Sequence, residues 1–510
     1  MILTKTEESR LLDSMAMKEY GIPEMVLMEN AGSSVVRLTE KYVDWDGAFT
    51  VILCGTGNNG GDGFVAARYA AGRGARVLVL LMGNEAHMSE SSKQYRHVID
   101  KMGIPVIPIS RAEEGAPYIH DADILVDALI GTGLSSEVKG EKALLITLMN
   151  EAQGIIISVD VPSGMLTDTG KAAGVVVDAD YTVALGSVKR GHVLYPGSSY
   201  TGTLLYSPIG IPDEARMDFP VHLTEKEDVF NILPVRNRVS HKGKNGFIGI
   251  FAGSYGMEGA ALLAGQGALY AGGGKVAVVT SGGAHPALAG RIPELMVSSL
   301  GEGPFFTEAD SEEALEKAKA YDVIALGPGL GREKETGKFV KCLITSFDKT
   351  MVIDADALFA VKEEHIALDT CPGRLILTPH VGEFSHLTGL SPKEIEDGRI
   401  DEAIRFAVEN HVVLVLKGAP TVTAMPDGSA YVNTTGNPGM ATGGMGDTLT
   451  GIIAALAGQG MNASGAALAG VYLHGLAGDM AAEKTPVGYR AGDLAEWIPL
   501  ARAEVMKMGR

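Results

Sequence analysis

The apolar run TVILC, from Thr50, leads straight into GTGNNGGDG, Gly55 to Gly63. Gly55, Gly57 and Gly60 satisfy G-x-G-x-x-G, the spacing of a dinucleotide-binding turn. A pyrophosphate site needs small uncharged residues where the phosphates meet the helix, yet Asn58, Asn59 and Asp62 crowd this one. Amide and carboxylate oxygens suit sugar hydroxyls or a hard cation better than bare phosphate. Three further groups stand at strand-like ends: Asp127 inside VDALIGTGL, Asp160 in SVDVPSG, and Ser163 in the turn after it. Ligands of open α/β sheets bind outside the carboxyl ends of strands, so these groups should converge on one crevice. Helix capping is the ordinary role of an Asp after a strand, and it competes for Asp62. It fits Asp160 less well, because Pro162 lacks an amide to donate. Asp127 lies in an apolar run, where an unpaired carboxylate would be costly.

The second half carries a different set. AGS follows FIGIF, and GPGLG, Gly327 to Gly331, follows VIAL. VIDADAL sets Asp354 and Asp356 at a strand end, LTPHVGE brings in His380 and Glu383, and LKGAPT carries Lys417. Singly, each has a bland explanation: a lysine at a strand end is usually solvated, and a lone histidine is usually structural. GNPGMATGGMGDTLTGIIAAL, Gly436 to Leu456, is stronger. Gly443, Gly444 and Gly446 leave helix amides free to cradle an anion. Asp447 stands in the first turn, as a cap or as a base beside that anion hole. The pairing suits phosphoryl transfer, where positioning and charge stabilisation dominate.

These residues need sheets to hold them. The 510-residue chain is too long for one core and predicts two domains. Strands are expected at TVILC, RVLVLLM (Arg76), ILVDALI (Ile124), IIISVDV (Ile155) and YTVALG (Tyr181), after a helical opening that ends near Val43. Helices are expected between them, one of them from Phe64. From Pro208 to Pro234 prolines and charges break the rhythm, which places a boundary near residue 218. FIGIFAG, KVAVVT, VIALG, MVIDAD, LILTPH and VVLVLKG then repeat the α/β pattern, and TVTAMPDGSAYVN reads as a hairpin with Asp427-Gly428 as a two-residue turn. The tail from Gly446 should be helical. Buried strands alternating with helices predict parallel sheets covered on both faces.

Composition narrows the function classes. A net charge of −19 argues against nonspecific binding to nucleic acid or to anionic membranes. Three scattered cysteines, Cys54, Cys342 and Cys371, exclude a disulfide framework and fit a reducing compartment. The opening MILTKTEESR has no apolar signal core, and a cytoplasmic protein is expected. Small-molecule ligands are therefore the expected partners, and a homo-oligomer is compatible with the sequence.

MENAG, CGTGNNGGDGFVAAR, VDALIGTGL, SVDVPSG and ADYTVAL stand in the order found in the NAD(P)H-hydrate epimerase family, and the resemblance covers nearly all of residues 1–218. It implies a Rossmann-like three-layer αβα domain. Asn58, Asn59, Gly60, Gly61 and Asp62, with Gly131, Thr132, Gly133, Leu134, Ser135, Ser136 and Glu137, would line the hydrated nicotinamide nucleotide. Asn59, Asp127 and Ser163 resemble the ligands of a potassium ion. Asp160 resembles the residue that contacts substrate and handles the proton during epimerisation at C6. G-x-G-D before a helix resembles the ribokinase-like superfamily. The fuller set, HKG, AGS, PELMV, GPGLG, DADAL, LTPHVGE, LKG and NPGMATGGMGD, resembles the ADP/ATP-dependent NAD(P)H-hydrate dehydratase and implies a ribokinase-like α/β domain over residues 225–510. That resemblance puts Ala260, Gly329 and His380 on the hydrate. It puts Lys417, Gly418, Ala419, Pro420, Thr421, Gly444, Met445 and Gly446 along ADP or ATP with magnesium, and makes Asp447 the catalytic carboxylate. Glu258 and Met445 depart from the pattern, standing where small polar residues are usual.

Two other readings compete. A vitamin-type kinase fused to a dehydrogenase-like domain explains GGMGD but leaves the first domain without a role. A noncatalytic first module should have lost its polar residues, yet Asn59, Asp127, Asp160 and Ser163 are all present. Only a repair enzyme gives both halves one substrate. If Met445 costs the donor a hydroxyl contact, Met445→Ser should tighten nucleotide binding in a calorimetric titration.

Overall fold

The computed structural model describes residues 1–216, 219–236 and 238–509. Met1–Val221 and His222–Arg510 form two compact units. The boundary expected at residue 218 falls outside the described residues.

Among the described residues the first unit contains a seven-stranded sheet in the order Val106–Ile109, Arg76–Met82, Phe49–Cys54, Ile124–Ala128, Ile155–Val159, Tyr181–Leu185, Thr203–Ser207. Every neighbouring pair is parallel. Side chains alternate between two cores. Ile52 and Val79 face the helices Glu24–Thr39 and Asn58–Gly72, while Leu53 and Leu80 face Ala112–His120 and Glu141–Glu151. This is the expected three-layer αβα arrangement, with both faces covered. Strand order reverses between Phe49–Cys54 and Ile124–Ala128, which opens a crevice at their carboxyl ends. A separate parallel pair, Leu3–Thr4 with Val188–Lys189, ties the opening helix Thr6–Lys18 to that end of the sheet.

Several elements differ from the sequence reading, which expected neither the edge strand Thr203–Ser207 nor the pair Leu3–Thr4 and Val188–Lys189. Val106–Ile109 is a strand although Pro108 lies within it; as an edge strand it needs amides on one side only. NNGGD is not a loop. The helix starts at Asn58, with Gly57 as its N-cap, and not near Phe64. A Cβ at Gly60 would collide with the Gly55 carbonyl oxygen, and one at Gly63 would lie 2.7 Å from Cys54 Sγ. The glycines thus let the first helical turn press onto the strand it follows.

Among the described residues the second sheet has ten strands, and those from Val413–Leu416 across to the edge strand Met296–Leu300 are parallel. Its switch point lies between Phe247–Phe251 and Val323–Leu326. Thr421–Ala424 and Ala430–Asn433 form the expected antiparallel hairpin. The turn is longer than the two residues expected: Gly428 N donates to Met425 O, and Met425 N to Ser429 O. Pro426 and Asp427 fill the turn, and Gly428, at φ 91°, takes the left-handed position that closes a three-residue loop. Helix Met445–Gly458 lies against Glu258–Tyr270, so close that a Cβ at Gly451 would strike the Ala264 carbonyl. No helix among the described residues is long and apolar enough to cross a membrane.

Gly60→Ala should destabilise the first unit by about 1–3 kcal/mol through overpacking. Gly57→Ala, with nothing within 4 Å of its added Cβ, should be tolerated. Denaturant titration of the two variants reads the difference.

Candidate functional site

A cavity of about 500 Å³ opens at the switch point of the first sheet. Asn58, Asn59 and Asp62 reach it from the first turns of their helix, Gly131 to Gly133 from the loop after Ile124–Ala128, and Asp160 from the end of Ile155–Val159. Gly60 and Gly61 are buried beneath it, and residues 134–137 continue beyond its lining. Asn58 is tied to Glu24, its Nδ2 donating to Oε1 at 3.0 Å. Asp160 does not cap a helix. It holds φ 65°, a conformation that costs a non-glycine residue roughly 1 kcal/mol or more. Its Oδ1 accepts from Leu185 N at 2.9 Å and pairs with the Lys189 ammonium. Lys189 is 1% exposed and also donates to Leu185 O at 2.8 Å and Ser187 O at 3.0 Å.

Three more carboxyl groups share this space. Burial pushes the Asp62 carboxyl well above the ordinary range, with Asp160 and Asp13 adding to the shift. Burial likewise raises Asp13 to about 6, against the opposing pull of Lys189. Asp13 and Glu24 both line the cavity.

Asp127 and Ser163 lie one layer down, both fully buried. Asp127 accepts from Ser163 Oγ at 2.6 Å, Ser163 N at 2.8 Å, Ser158 Oγ at 3.0 Å and Leu129 N at 3.3 Å. Burial raises its carboxyl, and these hydrogen bonds oppose the rise. The cost of the buried charge is met by four donors, none of them cationic. Asn59 stands above, packed on Gly131, with its buried Nδ2 unpartnered.

In the second unit, Lys417 emerges from Val413–Leu416 and places Nζ 2.8 Å from Asp354 Oδ1 and 3.8 Å from Glu383 Oε2. Thr450 donates to the other Asp354 oxygen at 2.7 Å. The ammonium lies under the opening turn of Met445–Gly458, where a Cβ at Gly446 would be 3.2 Å away. Gly444 caps that helix at φ 92°, and Asp447 gives it no side-chain cap. Asp447 makes no hydrogen bond to another described residue. Burial raises it to about 7, and Asp354 adds to the rise while Lys417 opposes it. Ala260 and Gly329 come together at the switch point, where a Cβ on Gly329 would be 3.1 Å from Ala260 Cβ. His380 caps Val381–Thr388, its Nδ1 accepting from Gly382 N and Glu383 N, while Nε2 lies 3.4 Å from Glu383 Oε1. Met445 is buried in the apolar core, and Glu258 Oε1 accepts from Gly256 N at 2.9 Å.

The sequence reading missed Asp13, Glu24 and Lys189, which fold topology brings in from the opening helices and from just after Tyr181–Leu185. It also missed Arg399. That buried guanidinium donates to Lys417 O at 2.7 Å and Pro420 O at 3.0 Å, fixing the loop that runs to Thr421. Lys189 follows the quoted ADYTVAL run closely and carried a usable signal, a lysine among small residues. Arg399 carried none, being one charge on an amphipathic helix.

A family model described as YjeF-related protein N-terminus matches residues 24–191, and one described as NAD(P)H-hydrate dehydratase matches residues 248–500. The chain is 41% identical over 508 residues to the bifunctional NAD(P)H-hydrate repair enzyme of Thermofilum pendens, covering 98% of this chain and 96% of that one. An ADP/ATP-dependent NAD(P)H-hydrate dehydratase from Bacillus subtilis, co-crystallised with ATP and Mg2+, is 34% identical, with a TM-score of 0.49, covering 57% of this chain and 99% of its own. A ribokinase-like superfamily protein from Enterococcus faecalis is 25% identical, with a TM-score of 0.50, covering 56% of this chain and 96% of its own.

Lys417→Met would leave Asp354 buried with only Thr450 beside it. A loss of about 3–5 kcal/mol in the stability of the second unit is expected, read by chemical denaturation.

Proposed function

The chain belongs to the family of bifunctional NAD(P)H-hydrate repair enzymes, and from that premise we propose that its first unit interconverts the R and S hydrates of NADH and NADPH at C6, while its second dehydrates the S hydrate using ADP or ATP. The functional domains would run over residues 1–218 and 225–510. In the hydrate, water has added across the C5–C6 double bond, so C6 carries both a hydroxyl and the ring nitrogen N1. Hydroxide is a poor leaving group. Phosphorylating that hydroxyl makes it a good one, and loss of phosphate with the C5 proton restores the dihydropyridine.

The observation that carries the second assignment is Asp447, unpaired beside Lys417 at the glycine-opened start of a helix. A carboxyl raised to about 7 is suited to take the hydroxyl proton as phosphoryl transfer proceeds. The amides from Gly444 to Gly446, Lys417 and the loop to Thr421 would hold the donor phosphates. Ala260, Gly329 and the exposed imidazole of His380 would contact the hydrate. Magnesium, arriving with the nucleotide, would neutralise phosphate charge; Asp354 is committed to Lys417 and Thr450, so the ion would be held chiefly by the phosphates themselves.

In the first unit, Asn58, Asn59, Gly60, Gly61, Asp62 and residues 131–137 would hold the hydrated nucleotide, with Asp160 at C6. Asn59, Asp127 and Ser163 offer only hard oxygen donors, and the Asp127 carboxylate has no cationic hydrogen-bond partner. That set fits a potassium ion, which would supply the missing positive charge.

The test uses a mixture of R and S NADH hydrates with magnesium and either nucleotide, following the return of dihydronicotinamide absorbance. Full conversion is expected, with Asp447→Asn inactive and Asp160→Asn stalling once the S form is spent. No absorbance with either nucleotide would overturn the reading and favour a kinase acting on another alcohol. Because the base must be ionised, the dehydration rate should fall as pH drops through about 7.

A further inference from the structure

The acid–base work of the first site needs more than Asp160. Opening a hemiaminal ring moves two protons at once, one off the C6 hydroxyl and one onto N1. A single ion-paired carboxylate can accept the first but has nothing to give the second. Two carboxyl groups held in opposite protonation states are the usual solution to such a demand.

We propose that Asp13 is the second proton-handling residue of this site, the acid that serves the ring nitrogen while Asp160 serves the hydroxyl; this rests on the reading of the first unit as an epimerase. Asp13 lines the same cavity as Asp160. It stands on helix Thr6–Lys18, which the pairing of Leu3–Thr4 with Val188–Lys189 anchors beside Lys189. Its Oδ1 faces the turn at Gly186, where an added Cβ would be 3.7 Å away. That turn begins with Leu185, whose amide donates to Asp160. Asp13 makes neither a hydrogen bond nor an ion pair to another described residue, although it is largely withdrawn from solvent. The difference from Asp160 is the cation: Lys189 pairs with Asp160 and not with Asp13. Burial, with Asp160 and Glu24 nearby and Lys189 opposing, lifts Asp13 to about 6, so both of its forms are populated near neutrality.

The step balances. The Asp160 carboxylate takes the hydroxyl proton, the oxygen pair forms a carbonyl at C6, and the C6–N1 bond breaks. Its electron pair passes to N1, which takes the proton of Asp13. Rotation about C5–C6 presents the other face of the aldehyde. N1 then attacks that face as its proton returns to Asp13, and the oxygen regains its proton from Asp160. Both carboxyl groups end as they began, and no oxidant, reductant or co-reactant is consumed.

Asp13→Asn in the full-length protein tests this. Purified R hydrate is incubated without nucleotide, and the appearance of S hydrate is followed chromatographically. The expected result is a fall in kcat of at least about 100-fold with KM changed less than threefold, since general acid catalysis contributes on that scale. Asp13→Glu should recover part of the rate. The wild-type rate should decline above about 6 as Asp13 ionises, and the Asn variant should lose that limb. Asp62, Glu24, Asp160, Lys189, Arg10 and Lys142 share the cavity, so the same limb must survive in Glu24→Gln for the assignment to Asp13 to stand. Dehydration of pure S hydrate and the thermal transition of the first unit control for folding. In 18O-labelled water the C6 oxygen should exchange less than once per turnover.

Epimerisation by Asp13→Asn within threefold of wild type overturns the inference, as does a loss seen only in KM or accompanied by unfolding. Obligatory oxygen exchange overturns the ring-opening route. If wild type itself fails to epimerise, it is the reading of the first unit that fails.

Discussion

A buried ammonium needs carboxylates, and among the described residues each unit places such a lysine near the carboxyl ends of its central strands. Lys189 is held by Asp160 and two carbonyls, Lys417 by Asp354 with Glu383 beyond. Stranding either partner in a low-dielectric interior would cost several kcal/mol, so the backbone around each pair is fixed by it. Asp160 accepts a strained left-handed backbone to reach Lys189, and the Asp354–Lys417 pair sits under a helix opened by Gly444 and Gly446. Other carboxyl groups nearby must then share a charge already spoken for. Burial raises Asp13, Asp62 and Asp447, and neighbouring carboxylates add to the rise while the lysines oppose it. One arrangement thus yields both a paired carboxylate and an unpaired one that titrates near neutrality, as proton transfer requires.

Close backbone approach makes the arrangement reachable. In the first unit the glycines of GTGNNGGDG let a helix start directly over the end of its strand, bringing Asn58, Asn59 and Asp62 to the crevice. In the second, Gly418 follows Lys417, and any side chain there would collide with Arg399. The same guanidinium holds the Lys417 and Pro420 carbonyls, so the loop is shaped from beneath rather than by its own sequence. Hydrogen bonding differs sharply among the carboxyl groups. Asp127 takes four donors, but Asp13 and Asp447 take none among the described residues.

The sequence determined the two α/β units and most of their strands, because buried apolar runs bounded by glycine can do little else. It also marked Asp127 and Asp160, since a charge within or at the end of an apolar run needs a reason, and Asp447 by its glycine-rich helix entry, whereas Lys417 stood out only through the family resemblance. It misread NNGGD as a loop, because glycine lowers helix propensity and the packing that overrides this is not local. It passed over Val106–Ile109, since Pro108 is tolerated only at an edge that topology defines. What only the tertiary structure decided is which charges meet. Asp13 and Lys189 lie at opposite ends of the first unit's sequence, and a two-stranded pair brings them to one cavity. A carboxyl group's type is written in the chain, but its protonation depends on burial and on the nearest cation, and both are properties of the folded interior.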